Sequence, residues 1–312
     1  MGNTEKDIFV PTIVEARDLV KLIGEKKVVD GVSFTVEKGE CYGIFGPPGS
    51  GKTSLLRMLA CLSPFNVGDI YIKGLNLKND QGQIKNLVGY VPSEDSFEPE
   101  YSVLENLILF ARYYGISKRL AKKTARQLLR LARLEAFEAS SLTELNQGQK
   151  RRLAIIRSLM CSPEVIFVDE PIKNLSRNEL FWVIDLIVNI KKQGVSIILA
   201  SEVLSELDQI IDQTLFLNHG RVECQGVPID LVKKIIGYSI LEFKVSNSDM
   251  MYYRKKVEQD YDYQVVDNKI KLMLQEHQDR QKALKMISSD NIIIRKANLD
   301  DVYLKISGEP IQ

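Results

Sequence analysis

Gly46-Pro47-Pro48-Gly49-Ser50-Gly51-Lys52-Thr53 follows directly on an apolar stretch, Cys41 to Phe45, that reads as a buried strand. It opens into Thr53 to Leu62, whose apolar residues recur at helical spacing until Pro64 stops them. The spacing is GxxxxGK[ST] in the strand-loop-helix setting that such a loop requires. Glycines let consecutive N–H groups close around phosphate oxygens at the positive end of the helix, Lys52 reaches the terminal phosphates, and the Thr53 hydroxyl is a ligand for Mg²⁺. The pattern therefore predicts triphosphate binding by Gly46 to Thr53 together with Ser54, with Mg-ATP as the expected ligand.

Outward from the loop, Thr12 to Val20 and Val32 to Val36 read as strands before it, and Gly68 to Ile72 and Val88 to Pro92 as strands after it. The stretch Val103 to Arg133 is helical and amphipathic. Val165-Ile166-Phe167-Val168-Asp169-Glu170 is an apolar run that ends in two carboxylates. Asp169 is placed to hold the shell of Mg²⁺ and Glu170 to orient or deprotonate the attacking water. Strand and helix then alternate through Asn178 to Lys192, Val195 to Ala200 and Thr214 to Leu217. This grammar gives an α/β fold, a P-loop NTPase (RecA-like) core with a mostly parallel sheet and a helical insertion at about 95–160. Past Gly237 it changes to a small α+β unit of ferredoxin-like order, so the expected division is 8–236 and 237–312.

Composition narrows the classes. Basic and acidic residues nearly cancel, 42 against 41, so no global field recruits nucleic acid. Four separated cysteines without a CxxC pair read as reduced, buried thiols, and no apolar run approaches the ~20 residues of a membrane span. Lys118 to Arg133 holds seven basic residues and no acid, which reads as a solvated face or as one lying near lipid headgroups or a membrane partner.

With these motifs in place, the chain resembles the nucleotide-binding subunits of ABC transporters. The resemblance runs from residue 8 to about 236: Asp30-Gly31-Val32-Ser33-Phe34 before the loop, Gly89-Tyr90-Val91-Pro92 after it, Leu145-Asn146-Gln147-Gly148-Gln149-Lys150-Arg151-Arg152 where the family carries LSGGQ, then Asp169-Glu170-Pro171. The closing Asn298-Leu299-Asp300-Asp301-Val302-Tyr303-Leu304-Lys305 is similar to the end of the subgroup that serves drug and polysaccharide exporters. The resemblance implies an antiparallel β subdomain, ATP and Mg²⁺ as cofactors, and a separate membrane permease as partner. It also implies a peripheral position at the cytoplasmic face, and a homodimer or heterodimer in which Asn146, Gln147, Gly148 and Gln149 face the partner's nucleotide.

The same resemblance exposes departures. Ser93 stands at the family's glutamine, Glu202 at its switch histidine, Ser176 at its D-loop aspartate, and Ile23 at the aromatic that stacks on adenine. Gln147 puts a side chain where the family keeps bare backbone. His219 and His277, the two histidines of the chain, read as surface residues and not as a replacement switch. The expected activity is ATP binding with slow or no hydrolysis, coupled to an export permease. The alternative is a non-hydrolysing regulatory or assembly subunit beside a complete ATPase. A third reading, a soluble ATPase of DNA repair or translation, would call for long coiled coils or two such domains, and the sequence shows neither. For the C-terminal unit, dimerisation and stabilisation is the expected role.

Overall fold

In the computed structural model the described residues are 11–94, 96–202, 206–275, 277–287 and 291–307. The outermost residues of the two expected units, 8–10 and 308–312, lie outside them, as does the side chain of His277, expected at the surface.

A six-stranded sheet forms the centre, in the order Arg221–Gly226, Gln213–Asn218, Cys41–Phe45, Ser196–Ser201, Val165–Asp169, Val88–Val91. Every pairing is parallel except that of the Arg221–Gly226 edge strand. The strands Cys41–Phe45, Val165–Asp169 and Ser196–Ser201 are buried at every position, as strands covered on both faces must be. Their carboxyl ends lie together, so the phosphate loop, Asp169 and Glu202 emerge from neighbouring strands at one edge.

A second, antiparallel sheet has the order Lys26–Glu37, Thr12–Ile23, Val67–Ile72, Leu75–Asn76. The first two strands are longer than their β-branched content predicts, because they pair along their whole length up to Ile23 against Lys26. Conversely, the single helical stretch expected over Val103 to Arg133 is two helices, Val103–Tyr113 and Lys118–Leu131. Gly115, at φ 77°, and Ser117, whose hydroxyl caps the second helix, separate them. No helix among the described residues is long and apolar enough to cross a membrane. Cys41 and Cys61 are buried as expected, whereas Cys161 and Cys224 are only half-buried; all four are free.

The third sheet, in the order Tyr263–Val266, Lys269–Leu274, Ser239–Lys244, Ile292–Lys296, is antiparallel throughout and has the ferredoxin-like strand order. Its two faces serve different cores, following the period of two. Leu241, Phe243, Leu272 and Leu274 pack with Val257 and Ala283 of its own helices. Ile240 and Met273 point the other way, into the cluster that also contains Phe216, Ile187 and Leu153. The helix Leu299–Ser307 adds Leu299, Val302 and Tyr303 to that same cluster. Asp301, only 2% exposed, binds Arg295 at 2.7 and 2.6 Å, and Arg295 also donates to Glu242 at 2.8 Å. Asp301 thus pins the closing helix onto the sheet.

Candidate functional site

Gly46 to Thr53 wraps the amino end of the helix Lys52–Leu59. At Gly51, φ is 109° and an added Cβ would stand 2.2 Å from the Val28 carbonyl, so only glycine fits where the loop crosses the antiparallel sheet. Lys52 is buried and folds back over its own loop, donating to the carbonyls of Gly46 at 2.8 Å and Pro47 at 3.0 Å. Its ammonium also lies 3.7 Å from the Glu202 carboxylate. Burial pulls the Lys52 pKa down, while Glu202, then Glu170 and Asp169, hold it up.

Both carboxylate oxygens of Asp169 are buried and accept no hydrogen bond of normal geometry. Burial raises its pKa, countered first by the Thr53 hydroxyl and then by Lys52. Glu170 adopts a left-handed backbone at φ 49°, a strained state for a non-glycine residue, with its N–H bound to the Ala200 carbonyl at 2.8 Å. Its side chain accepts from the Ser201 hydroxyl and the Glu202 N–H, each at 3.3 Å, and burial raises its pKa as well. An oxygen pair left orphaned in the interior, beside a hydroxyl, is a donor set that fits a hard divalent cation.

The sign of these shifts has a consequence for stability. A carboxylate whose pKa is raised on folding is protonated more readily in the native state. The native state's advantage from Asp169 and Glu170 is therefore present below the ordinary carboxylate pKa, ~4, and is lost as pH climbs through the raised values. Asp169→Asn is expected to flatten that slope and to raise the melting temperature of the nucleotide-free protein at neutral pH by about 2–4 °C. Calorimetry across pH 4 to 8 checks it; a lower melting temperature would mean that Asp169 holds a structural partner.

A cleft of about 390 Å³ is lined by Gly49 to Ser54, Lys26, Val28, Ser93, Glu170, Lys173 and Glu202. An adjoining cleft of about 360 Å³ shares Ser93, Glu170 and Lys173 and reaches Gln147 and Lys150 on the helix Gln147–Ser158. The fold thus brings Gly49 to Ser54, Glu170, Ser93 and Glu202 around one space, with the buried Asp169 against the Thr53 hydroxyl at its wall, and sets Gln147 beside it. Ile23 ends its strand 58% exposed and lines neither cleft; Ser176 lines neither and begins the helix Arg177–Lys192. A larger cleft of about 610 Å³, lined by Glu15, Arg17, Ser33, Phe34, Glu37 and Glu40 among others, holds no residue of the phosphate loop and neither Asp169 nor Glu170. Convergence of chemistry, and not size, selects the site.

Three further residues were given no role by the sequence. Lys173 stands in the wall common to both clefts, two residues beyond the Asp169-Glu170-Pro171 motif. Arg151, buried, donates to the carbonyls of Pro92 at 2.5 Å, Pro171 at 3.3 Å and Asp169, tying the LSGGQ-like helix to the Ser93 loop and the Asp169 strand. Glu179 accepts from the Gly148 N–H at 3.2 Å and from Ser176 at 2.9 and 2.6 Å. An added Cβ at Gly148 would lie 2.5 Å from that of Glu179, so glycine is obligatory there. With Asn146 and Gln149 exchanging 2.8 Å bonds, the first turn of this helix is capped from within the chain.

Residues 29–173 match the family described as ABC transporter. Over 306 residues the chain is 30% identical to the Nod factor export ATP-binding protein I of Burkholderia lata, covering 96% of this chain and 98% of that one. The protein of the same name from Rhizobium etli is 29% identical over 306 residues, covering 96% and 95%. A solved ATP-binding subunit of an ABC transporter superposes with a TM-score of 0.64 at 26% identity, over 72% of this chain and 93% of that one. A dimeric ATP-binding cassette in a post-hydrolysis state with ADP and Pi gives a TM-score of 0.63 at 24% identity, over 69% and 98%, and speaks for the fold alone.

Proposed function

The chain belongs to the ABC transporter family as an ATP-binding subunit, and from that premise we propose that it couples Mg-ATP binding, with slow hydrolysis, to a separate export permease. The observation that carries the reading is the meeting of Lys52, Thr53 and Glu170 in the cleft at the phosphate loop, with the buried Asp169 against the Thr53 hydroxyl. The naming of its relatives for Nod factor export supports the export direction. We place the junction of the two units at Gly237, with 8–236 carrying the nucleotide and 237–312 acting as the accessory part. Peripheral attachment at the cytoplasmic face through the permease, and pairing with a second nucleotide-binding subunit, complete the proposal.

In this reading the loop N–H groups and Lys52 bind and orient the triphosphate, releasing the ammonium from the Gly46 and Pro47 carbonyls and from Glu202. Thr53 and Asp169 would hold Mg²⁺, which when bound supplies charge to neutralise the β- and γ-phosphate oxygens. Glu170 positions the attacking water and takes its proton, a role that its raised pKa suits. Slow turnover follows from what surrounds these groups. Glu202 is an acceptor where a donor to the developing charge is needed, Ser93 is short, and the Gly148 N–H is engaged by Glu179. Each missing donor costs about 10²–10³ in rate.

Mg-ATP titration and steady-state phosphate release by the purified chain test the proposal. Saturable binding with turnover well below ~1 s⁻¹, the low end of common kcat values, is expected. Turnover at ordinary enzyme rates would mean that Glu202 or Glu94 has taken over a catalytic role. Absence of binding would remove the nucleotide function itself. Tight binding with no turnover at all would favour the non-hydrolysing regulatory subunit.

A further inference from the structure

The helices Val103–Tyr113 and Lys118–Leu131 meet at a corner, and the twelve residues Arg112 to Lys123 carry five cations and no acid: Arg112, Lys118, Arg119, Lys122 and Lys123. Among the described residues none of the five is ion-paired, whereas Arg126 and Arg133 beyond the corner are held by Glu138 and Asp185. The nearest acids are already engaged. Glu105 is bound by its Ser102 cap, with Lys118 adding a smaller pull, and Glu138 is bound by Arg126, with Lys122 adding a smaller pull. Between the cations stand apolar groups that the fold leaves outside: Tyr113 is 76% exposed, Leu120 53% and Tyr114 47%. Only Ala121 and Ile116 of the twelve turn inward, so the corner projects and does not form a groove that could receive a peptide.

We propose that this corner is a contact for an anionic lipid surface, formed by Arg112, Lys118, Arg119, Lys122 and Lys123 around Tyr113, Tyr114 and Leu120. Two features favour lipid over another macromolecule. The charge is uniform and without acceptors, which suits a field of phosphates more than a shaped protein face. The exposed tyrosines and leucine are the side chains that settle at headgroup depth, where an amphipathic ring keeps one end wet. In a subunit held near a bilayer, such a contact adds an attachment independent of the nucleotide and of any permease.

The test is co-sedimentation of the full chain with protein-free vesicles of neutral phosphatidylcholine, alone or with about a third of the anionic phosphatidylglycerol. Binding is expected on the anionic vesicles only, and it should vanish at 1 M salt, where the screening length is about 3 Å. Each cation removed should weaken partitioning by about fivefold. Lys118→Gln and Lys122→Gln alone should therefore give graded losses, and Lys118→Gln, Arg119→Gln, Lys122→Gln and Lys123→Gln together a loss of several hundredfold. Mg-ATP affinity, set by other elements, should stay unchanged in every variant and reports intact folding. Equal binding to neutral vesicles, or binding indifferent to the graded substitutions, overturns the proposal. Absence of binding to anionic vesicles also overturns it and leaves a protein partner as the ligand of the corner.

Discussion

Replacing Lys52 with alanine is expected to weaken Mg-ATP binding by about a hundredfold or more. The ammonium is the one buried cation on the loop itself, and removing a buried, charged partner from a polyanion costs about 2–5 kcal/mol, where 1.4 kcal/mol is tenfold. Glu202, whose carboxylate lies 3.7 Å from that ammonium, acts against binding in two ways, by repelling the incoming phosphates and by competing with them for Lys52. A second substitution separates the two effects. Glu202→Gln should tighten binding by about tenfold when Lys52 is present, since it removes both a repulsion and a competitor for the ammonium. The gain should be smaller when alanine stands at 52, where only the repulsion remains to be removed. Fluorescent nucleotide titration of the four proteins checks this. Equal gains in both backgrounds would mean that the Lys52–Glu202 contact does not oppose nucleotide binding.

Glu170→Gln is the second large effect, this time on turnover. Phosphate release is expected to fall by about a hundredfold or more, with nucleotide affinity retained, because a general base contributes about 10²–10⁴. Glutamine is isosteric and still accepts from the Ser201 hydroxyl and the Glu202 N–H, so the strained turn at φ 49° keeps its side-chain anchors. Single-turnover measurement with protein in excess over ATP reads the effect even where steady-state turnover is small. Unchanged turnover would move the base to Glu94 or Glu202.

Much of this was legible in the chain because it is written locally. The phosphate loop and the apolar strand ending at Asp169 and Glu170 each sit within a few consecutive residues, where spacing and turn chemistry decide. The strand order of the C-terminal sheet followed from the same cues. What stayed hidden was long-range. Lys52 and Glu202 are 150 positions apart, so the resemblance marks Glu202 as a wrong residue without showing which group it engages. Arg151 reads as one of several basic residues on a helix until its carbonyl partners from two other segments are seen. Glu179 reads as an ordinary helix cap, and only the packing of its helix against Gly148 gives it a second acceptor duty. The half-buried Cys161 and Cys224 show the same limit, since apolar neighbours in sequence do not measure coverage in space.

The shared interior described for the third sheet bears on how this molecule is made. Ile240, Met273, Leu299, Val302 and Tyr303 close an apolar cluster whose other side is built from Leu153, Ile187 and Phe216. During synthesis, at about 5–20 residues per second, the earlier segments emerge with that side uncovered and wait several seconds for the residues beyond 299. Over that interval the growing chain offers its own apolar surface to chaperones and to other nascent chains, and a pause on the ribosome within that last stretch would lengthen the exposure.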